Sequence, residues 1–130
     1  MLPGWGMDTY IQGIREIIED SKHYRAPTDP ATLPCIETDF KIPVRDGREV
    51  TARLHKPRQV PEDGCPGFVV FHGGGFAVGD LDTEAWLCRL FTELGGIAVN
   101  VNYRHAPEHV FPAAVEDVFD ATKWVCRGQS

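Results

Sequence analysis

Apolar residues recur along this chain with three different spacings. Between Asp8 and Tyr24, isoleucines fall at positions 11, 14, 17 and 18. That is the spacing of one helix face, and Asp8 is placed to cap its start. From Cys35 to Val44 the pattern alternates: Ile36, Thr38, Phe40, Ile42 and Val44 share one side of a half-buried strand. Asp46-Gly47 supplies a tight turn into a second alternating run, Glu49–Pro57, with Val50, Ala52 and Leu54 on one side. The two runs predict a β-hairpin. The third pattern is unbroken. Phe68–Phe71 is apolar throughout, the signature of a strand covered on both faces.

The remaining elements follow in order. Thr83–Leu94 predicts a helix burying Trp86, Leu87, Leu90 and Leu94, stopped by Gly95-Gly96. Ile97–Tyr103 is a strand. Arg104–Pro112 is a loop. A helix opens after Pro112, with Val115, Val118, Phe119, Ala121 and Val125 roughly on one side. Disorder is expected only near Pro27–Pro34 and Arg58–Gly64, and His23 and His55 read as surface residues. A hairpin followed by strand–helix–strand–helix implies an α/β fold: a parallel sheet flanked by helices, with right-handed crossovers.

Composition narrows the partners. The 130 residues suffice for one small core, and 42% apolar with 25% charged residues is ordinary for a globular protein. A net charge of −6 and the lack of any Lys/Arg cluster exclude nucleic acid as a partner. No apolar run is long enough to span a bilayer, and "MLPGWGMDTY" lacks the regions of a secretory signal, so a cytoplasmic location is expected. The cysteines at 35, 65, 88 and 126 form no CxxC pair and are expected as free thiols. His105 and His109 are four apart, but Pro107 between them prevents a helical pair; no metal is expected.

The chemistry-bearing stretch is "VVFHGGGFAVGD", Val69–Asp80. In open α/β sheets, ligands sit beyond the carboxyl ends of the strands, which is where His72–Gly75 falls. A dinucleotide loop needs glycine at position 78, which is Val78; a phosphate-cradling Walker loop needs Gly-Lys-Ser/Thr, but Gly79 is followed by Asp80. The other chemistry that favours glycines here is an oxyanion hole. Backbone N–H groups with no side chains in the way donate to the oxygen of a tetrahedral acyl intermediate. The alternative is a tight glycine turn with no chemical role.

About thirty residues downstream comes "NYRHAPEHVFPAAVEDV", Asn102–Val118. Together the two motifs resemble the hormone-sensitive-lipase-like branch of the α/β-hydrolase fold, which typically reads HGGGF…G and then D-Y-R-L-A-P-E-x-x-F-P-A-A-x-x-D. The resemblance covers roughly residues 8 to 127. His105 stands for a usual Leu and Asn102 for a usual Asp. The resemblance implies carboxylic ester hydrolysis by a Ser–His–Asp triad, with a small-molecule ester as substrate and no cofactor. It implies oxyanion donation by Gly74 and Gly75, with His72 and Gly73 shaping the loop. Tyr103, Arg104, Pro107, Glu108 and Asp117 then form a structural motif bracing loops near the active site. It implies that residues 1–34 are a cap helix and linker, and that 35–130 are the N-terminal half of the hydrolase domain.

The reacting group is missing. A hydrolase of this kind needs serine on a GxSxG elbow. The chain's two serines are Ser21, with no flanking glycines, and Ser130, at the end of "CRGQS" after a helix. Cys88, beside Trp86 and Leu87, reads as core packing. The chain is therefore expected to be a truncated member, inactive alone; the alternative is a ligand-binding or partner-regulating module of the same fold. The resemblance also implies strand order 1-2-4-3-5. The Phe68–Phe71 strand would then be an open, apolar edge, prone to self-association or to pairing with another chain.

Overall fold

The computed structural model describes residues 6–22 and 29–128. His23, Tyr24 and Ser130 lie outside the described residues. The elements, in order, are α1 (Met7–Lys22), β1 (Cys35–Pro43), β2 (Glu49–Pro57), β3 (Gly67–Phe71), α2 (Ala85–Glu93), β4 (Ile97–Asn102) and α3 (Ala113–Cys126). Asp8 lies inside the first turn of α1 rather than at its cap.

The four strands form one mixed sheet in the order β1-β2-β4-β3. β1 and β2 are the hairpin expected from Asp46-Gly47, with Ile42 opposite Val50 and Phe40 opposite Ala52. Gly47 sits at φ +80° in that turn, where a side chain would be strained. β2 runs antiparallel to β4, whereas β3 and β4 are parallel, as a strand–helix–strand crossover requires. β3 ends the sheet among the described residues.

Strand periodicity sorts the core into two layers. Ile42, Val44, Val50, Ala52, Val99 and Val101 point to one face, where Ala121 of α3 packs with Trp124 and Val125. Val70 and Ala98 point to the other, against Cys88 of α2, with Phe68 and Phe91 alongside. β3 and β4 thus have side chains buried on both faces, which is why Phe68–Phe71 carries no alternation.

The helices differ from expectation. α2 begins at Ala85 rather than Thr83, and it buries Ala85, Cys88 and Thr92. Trp86, Leu90 and Leu94, expected in the core, are 62%, 44% and 76% exposed. The helix is apolar nearly all round, so period alone left its inward face ambiguous. The small face lies on the sheet and the bulky face points away. α3 similarly buries Ala114, Asp117 and Ala121 while Val115 and Phe119 stay exposed. On β1, Ile36 is exposed and Cys35 is buried, because α2 covers the Cys35 face of the strand. His55, read as a surface residue, is fully buried beneath the same helix. The two loops expected to be disordered are joined: Arg58 Nη2 donates to the carbonyls of Pro30 and Leu33, at 3.3 Å each.

Candidate active site

The glycine loop leaves the carboxyl end of β3 and folds over His72. Gly74 takes φ +136° and Gly75 φ +61°, and Phe76 follows at φ +62°. A Cβ on Gly74 would lie 2.0 Å from the Val78 carbonyl oxygen, so no other residue fits there. The carbonyl of Gly74 accepts from the amides of Ala77 and Val78, at 3.1 Å each. That turns the chain sharply and leaves the loop exposed from Gly73 to Phe76. Among the described residues, the amides of Gly74 and Gly75 donate to no partner.

His72 is the buried foot of the loop, 2% exposed. Its Nδ1 donates to the Gly73 carbonyl at 2.8 Å. The Tyr103 hydroxyl donates to the His72 carbonyl at 2.7 Å, and the two rings stack with centroids 4.6 Å apart. With Nδ1 carrying the proton, Nε2 of a neutral His72 is an acceptor. It faces His105 Nε2 at 3.2 Å, which then donates. So the His105 found in place of a usual Leu joins the loop's support. Burial, then the neighbouring His72, pushes the pKa of His105 down. Gly79 is part of the same packing, since a Cβ there would lie 2.3 Å from His72 Nδ1.

The second motif divides into two braces. Asp117, wholly buried, accepts from the Arg104 backbone amide at 3.0 Å and from its guanidinium at 2.8 and 2.6 Å. Such a two-pronged pair fixes the chain where β4 turns toward α3. Arg104 also reaches Asp46 in the hairpin turn, and these hydrogen bonds raise its pKa. Glu108 instead pairs with Arg15 of α1. Arg15 Nη2 also donates to the carbonyls of Ala77 at 2.8 Å and Ala106 at 2.9 Å. One guanidinium thus ties α1, the glycine loop and the Pro107 loop together. The hydrogen bond from Arg15 lowers the Glu108 pKa to about 2. Pro107 itself follows a cis peptide bond and is exposed.

Sequence reasoning missed Arg15, Gly79 and the role of His105. Arg15 carried a signal: a cation set among Ile11, Ile14 and Ile18 on one helix face. Beside this assembly, Arg15, Thr51, Tyr103, His105 and Glu108 line a cleft of about 450 Å³.

No nucleophile stands near the loop among the described residues. Ser21 Oγ, on α1, donates to the Ile18 carbonyl at 2.6 Å. Cys88 is buried in the core, as its apolar neighbours suggested, and burial pushes its thiol to about 11. Such a thiol is not a nucleophile at neutral pH.

A half-sheet ending in a glycine loop with bare amides, above a buried histidine, is the architecture of an α/β hydrolase. The family model for the alpha/beta hydrolase fold matches residues 68–130. Esterase LipI of Mycobacterium tuberculosis is 36% identical over 121 residues, 92% of this chain and 36% of LipI. The carboxylic ester hydrolase LipN of the same organism is 41% identical over 113 residues, 84% of this chain and 29% of LipN. Among solved structures, the Pyrobaculum calidifontis esterase aligns with a TM-score of 0.71 and 39% identity, covering 90% of this chain and 37% of the esterase. LipW from Mycobacterium marinum aligns at 0.77 with 32% identity, covering 95% and 38% respectively. The chain belongs to the hormone-sensitive-lipase-like branch of the α/β-hydrolase fold. It spans about a third of the length of the curated relatives it matches.

Proposed function

We propose that this chain is the oxyanion-binding portion of a carboxylic ester hydrolase and does not turn over esters by itself. The unpartnered amides of Gly74 and Gly75 carry the reading. They sit on an exposed loop at the carboxyl end of a parallel strand, where a developing alkoxide would meet donors that are already oriented. His72, Tyr103, His105 and Arg15 hold that loop without offering a nucleophile. The serine, its base and the orienting acid come from polypeptide that packs beside β3. Residues 1–34 then contribute to a cap held over the loop by Arg15, and 35–130 to the hydrolase domain. The open edge of β3 and the bulky exposed residues of α2 fit this reading, because further strands would cover the first and further helices the second. In their absence they favour self-association or pairing with another chain.

Hydrolysis of a chromogenic short-chain ester tests both parts. The chain alone gives no turnover above buffer. A fusion to the C-terminal part of a related esterase, from its GxSxG elbow onward, gives turnover that Gly74→Ala, whose Cβ would meet the Val78 carbonyl and push the loop's amides off position, reduces by about 10²–10³-fold, the scale of a misplaced oxyanion donor. Turnover by the chain alone overturns the claim that its nucleophile lies elsewhere. A fusion indifferent to Gly74 overturns the oxyanion assignment.

A further inference from the structure

Far from the glycine loop, three ligand-bearing side chains meet under α2. Cys35 and Glu37 are two apart on β1 and so share a face, and Glu37 is the cross-strand partner of His55 on β2. One donor atom from each lies within 4.8 Å of the other two. His55 is 0% exposed, and neither of its ring nitrogens has a hydrogen-bond partner. Glu37 Oε1 lies 3.1 Å from His55 Nδ1 but off the axis of a ring N–H. A buried imidazole with both nitrogens unsatisfied costs stability unless something else engages it.

We propose that Cys35, Glu37 and His55 form a binding site for a divalent transition-metal ion, zinc by donor preference.

Thiolate, imidazole and carboxylate together are a zinc donor set, whereas calcium and magnesium take oxygen. Tetrahedral zinc, with bonds of about 2.0–2.3 Å, places its donors roughly 3.3–3.8 Å apart. The three donor atoms, now within 4.8 Å of one another, therefore need to close by up to about 1.5 Å through side-chain rotation. A cavity of about 520 Å³ reaches Cys35 and Glu37 but not His55, and Arg53, Arg58 and Arg89 share its wall with Asp39 and Asp82; it gives an ion a way in and a water the fourth position. Arg89 Nε now sits 2.7 Å from Glu37 Oε1. It would keep its hydrogen bond to the carboxylate while the metal takes a free lone pair, as ligating carboxylates commonly do. Binding breaks the Cys35 S–H bond, forms the S–metal bond and releases the proton to solvent. Thiolate and carboxylate then offset the ion's two charges, while Arg89 keeps its own positive charge beside the carboxylate. The ion would clip the open ends of β1 and β2 together.

Cobalt(II) titration of the chelator-treated full chain tests this, because a cobalt–thiolate bond gives a near-ultraviolet charge-transfer band. The band is expected to saturate at equimolar cobalt, to be displaced by zinc, and to vanish in Cys35→Ser and His55→Gln. It should persist in Cys88→Ser and Cys126→Ser. If His55→Gln loses its far-ultraviolet circular dichroism, Glu37→Gln replaces it and is expected to weaken cobalt binding at least tenfold. Native mass spectrometry should show a single retained zinc. No band in the unsubstituted chain, or a band that survives Cys35→Ser, overturns the site.

Discussion

The Tyr103 hydroxyl donates to the His72 carbonyl at 2.7 Å while the two rings stack with centroids 4.6 Å apart. The end of β4 thereby holds the end of β3 from beneath, and the glycine loop rests on that joint. Tyr103→Phe keeps the stack and strands the buried carbonyl. It is expected to lower stability by about 1–3 kcal/mol, read from the urea midpoint at unchanged m-value.

The three consecutive glycines are not equivalent. Gly74→Ala drives a Cβ into the Val78 carbonyl at φ +136° and is expected to cost at least about 1–3 kcal/mol from the backbone conformation alone. Gly75→Ala meets no atom within 4 Å but sits at φ +61°, a left-handed conformation that costs about 1–2 kcal/mol. Gly73→Ala has open space and should stay within about 0.5 kcal/mol. Urea unfolding of the three variants checks the order; equal effects would mean that the loop is not held in this conformation.

Arg15 predicts a local rather than a global effect. Arg15→Ala removes the donors to Ala77, Ala106 and Glu108, so amide exchange should accelerate across α1 and at Ala77–Val78 while β1–β4 stay protected. The Glu108 carboxyl should rise from about 2 toward its ordinary value near 4.5 in that variant, followed by carboxyl NMR. The sign follows from the lowered pKa. The contribution of this pair is complete above the ordinary carboxylate range and is lost as the pH falls toward about 2.

His105, a basic group, gives the same direction at a higher pH. Burial and His72 lower its pKa in the fold, so the unfolded chain binds the proton more readily. The stability contributed by the neutral pair is present above the ordinary histidine value of about 6.5 and declines as the pH falls below it. His105→Gln keeps a hydrogen-bond donor toward His72 and should flatten the fall in melting temperature between about pH 6.5 and 5. An unchanged slope would place the titrating group elsewhere, for example at buried His55.

The bulky face of α2 and the free side of β3 predict association. Sedimentation should show mass rising with concentration, and Leu90→Glu, on the exposed face, should reduce it. A concentration-independent monomer would show that these surfaces are tolerated uncovered.

The hairpin, the parallel β3–β4 pair and the glycine loop at its end were legible because each is written locally. Alternation sets a strand's face, Asp46-Gly47 sets a turn, and HGGG admits few backbone paths. The face buried by α2 was not legible. Its period fits several faces, and the sheet selects the one with small residues because Cys88 and Thr92 allow close approach. His55 reads as a surface residue because nothing in its strand shows that a helix thirty residues later will cover it. Arg15 likewise reads as one more cation on a helix until the carbonyls of Ala77 and Ala106 are brought to it. By itself the sequence determined the elements, the family and the place of the glycine loop. Tertiary structure decided which side chains support the loop and that Cys35, Glu37 and His55 meet, since those contacts join residues distant in the chain that no local period records.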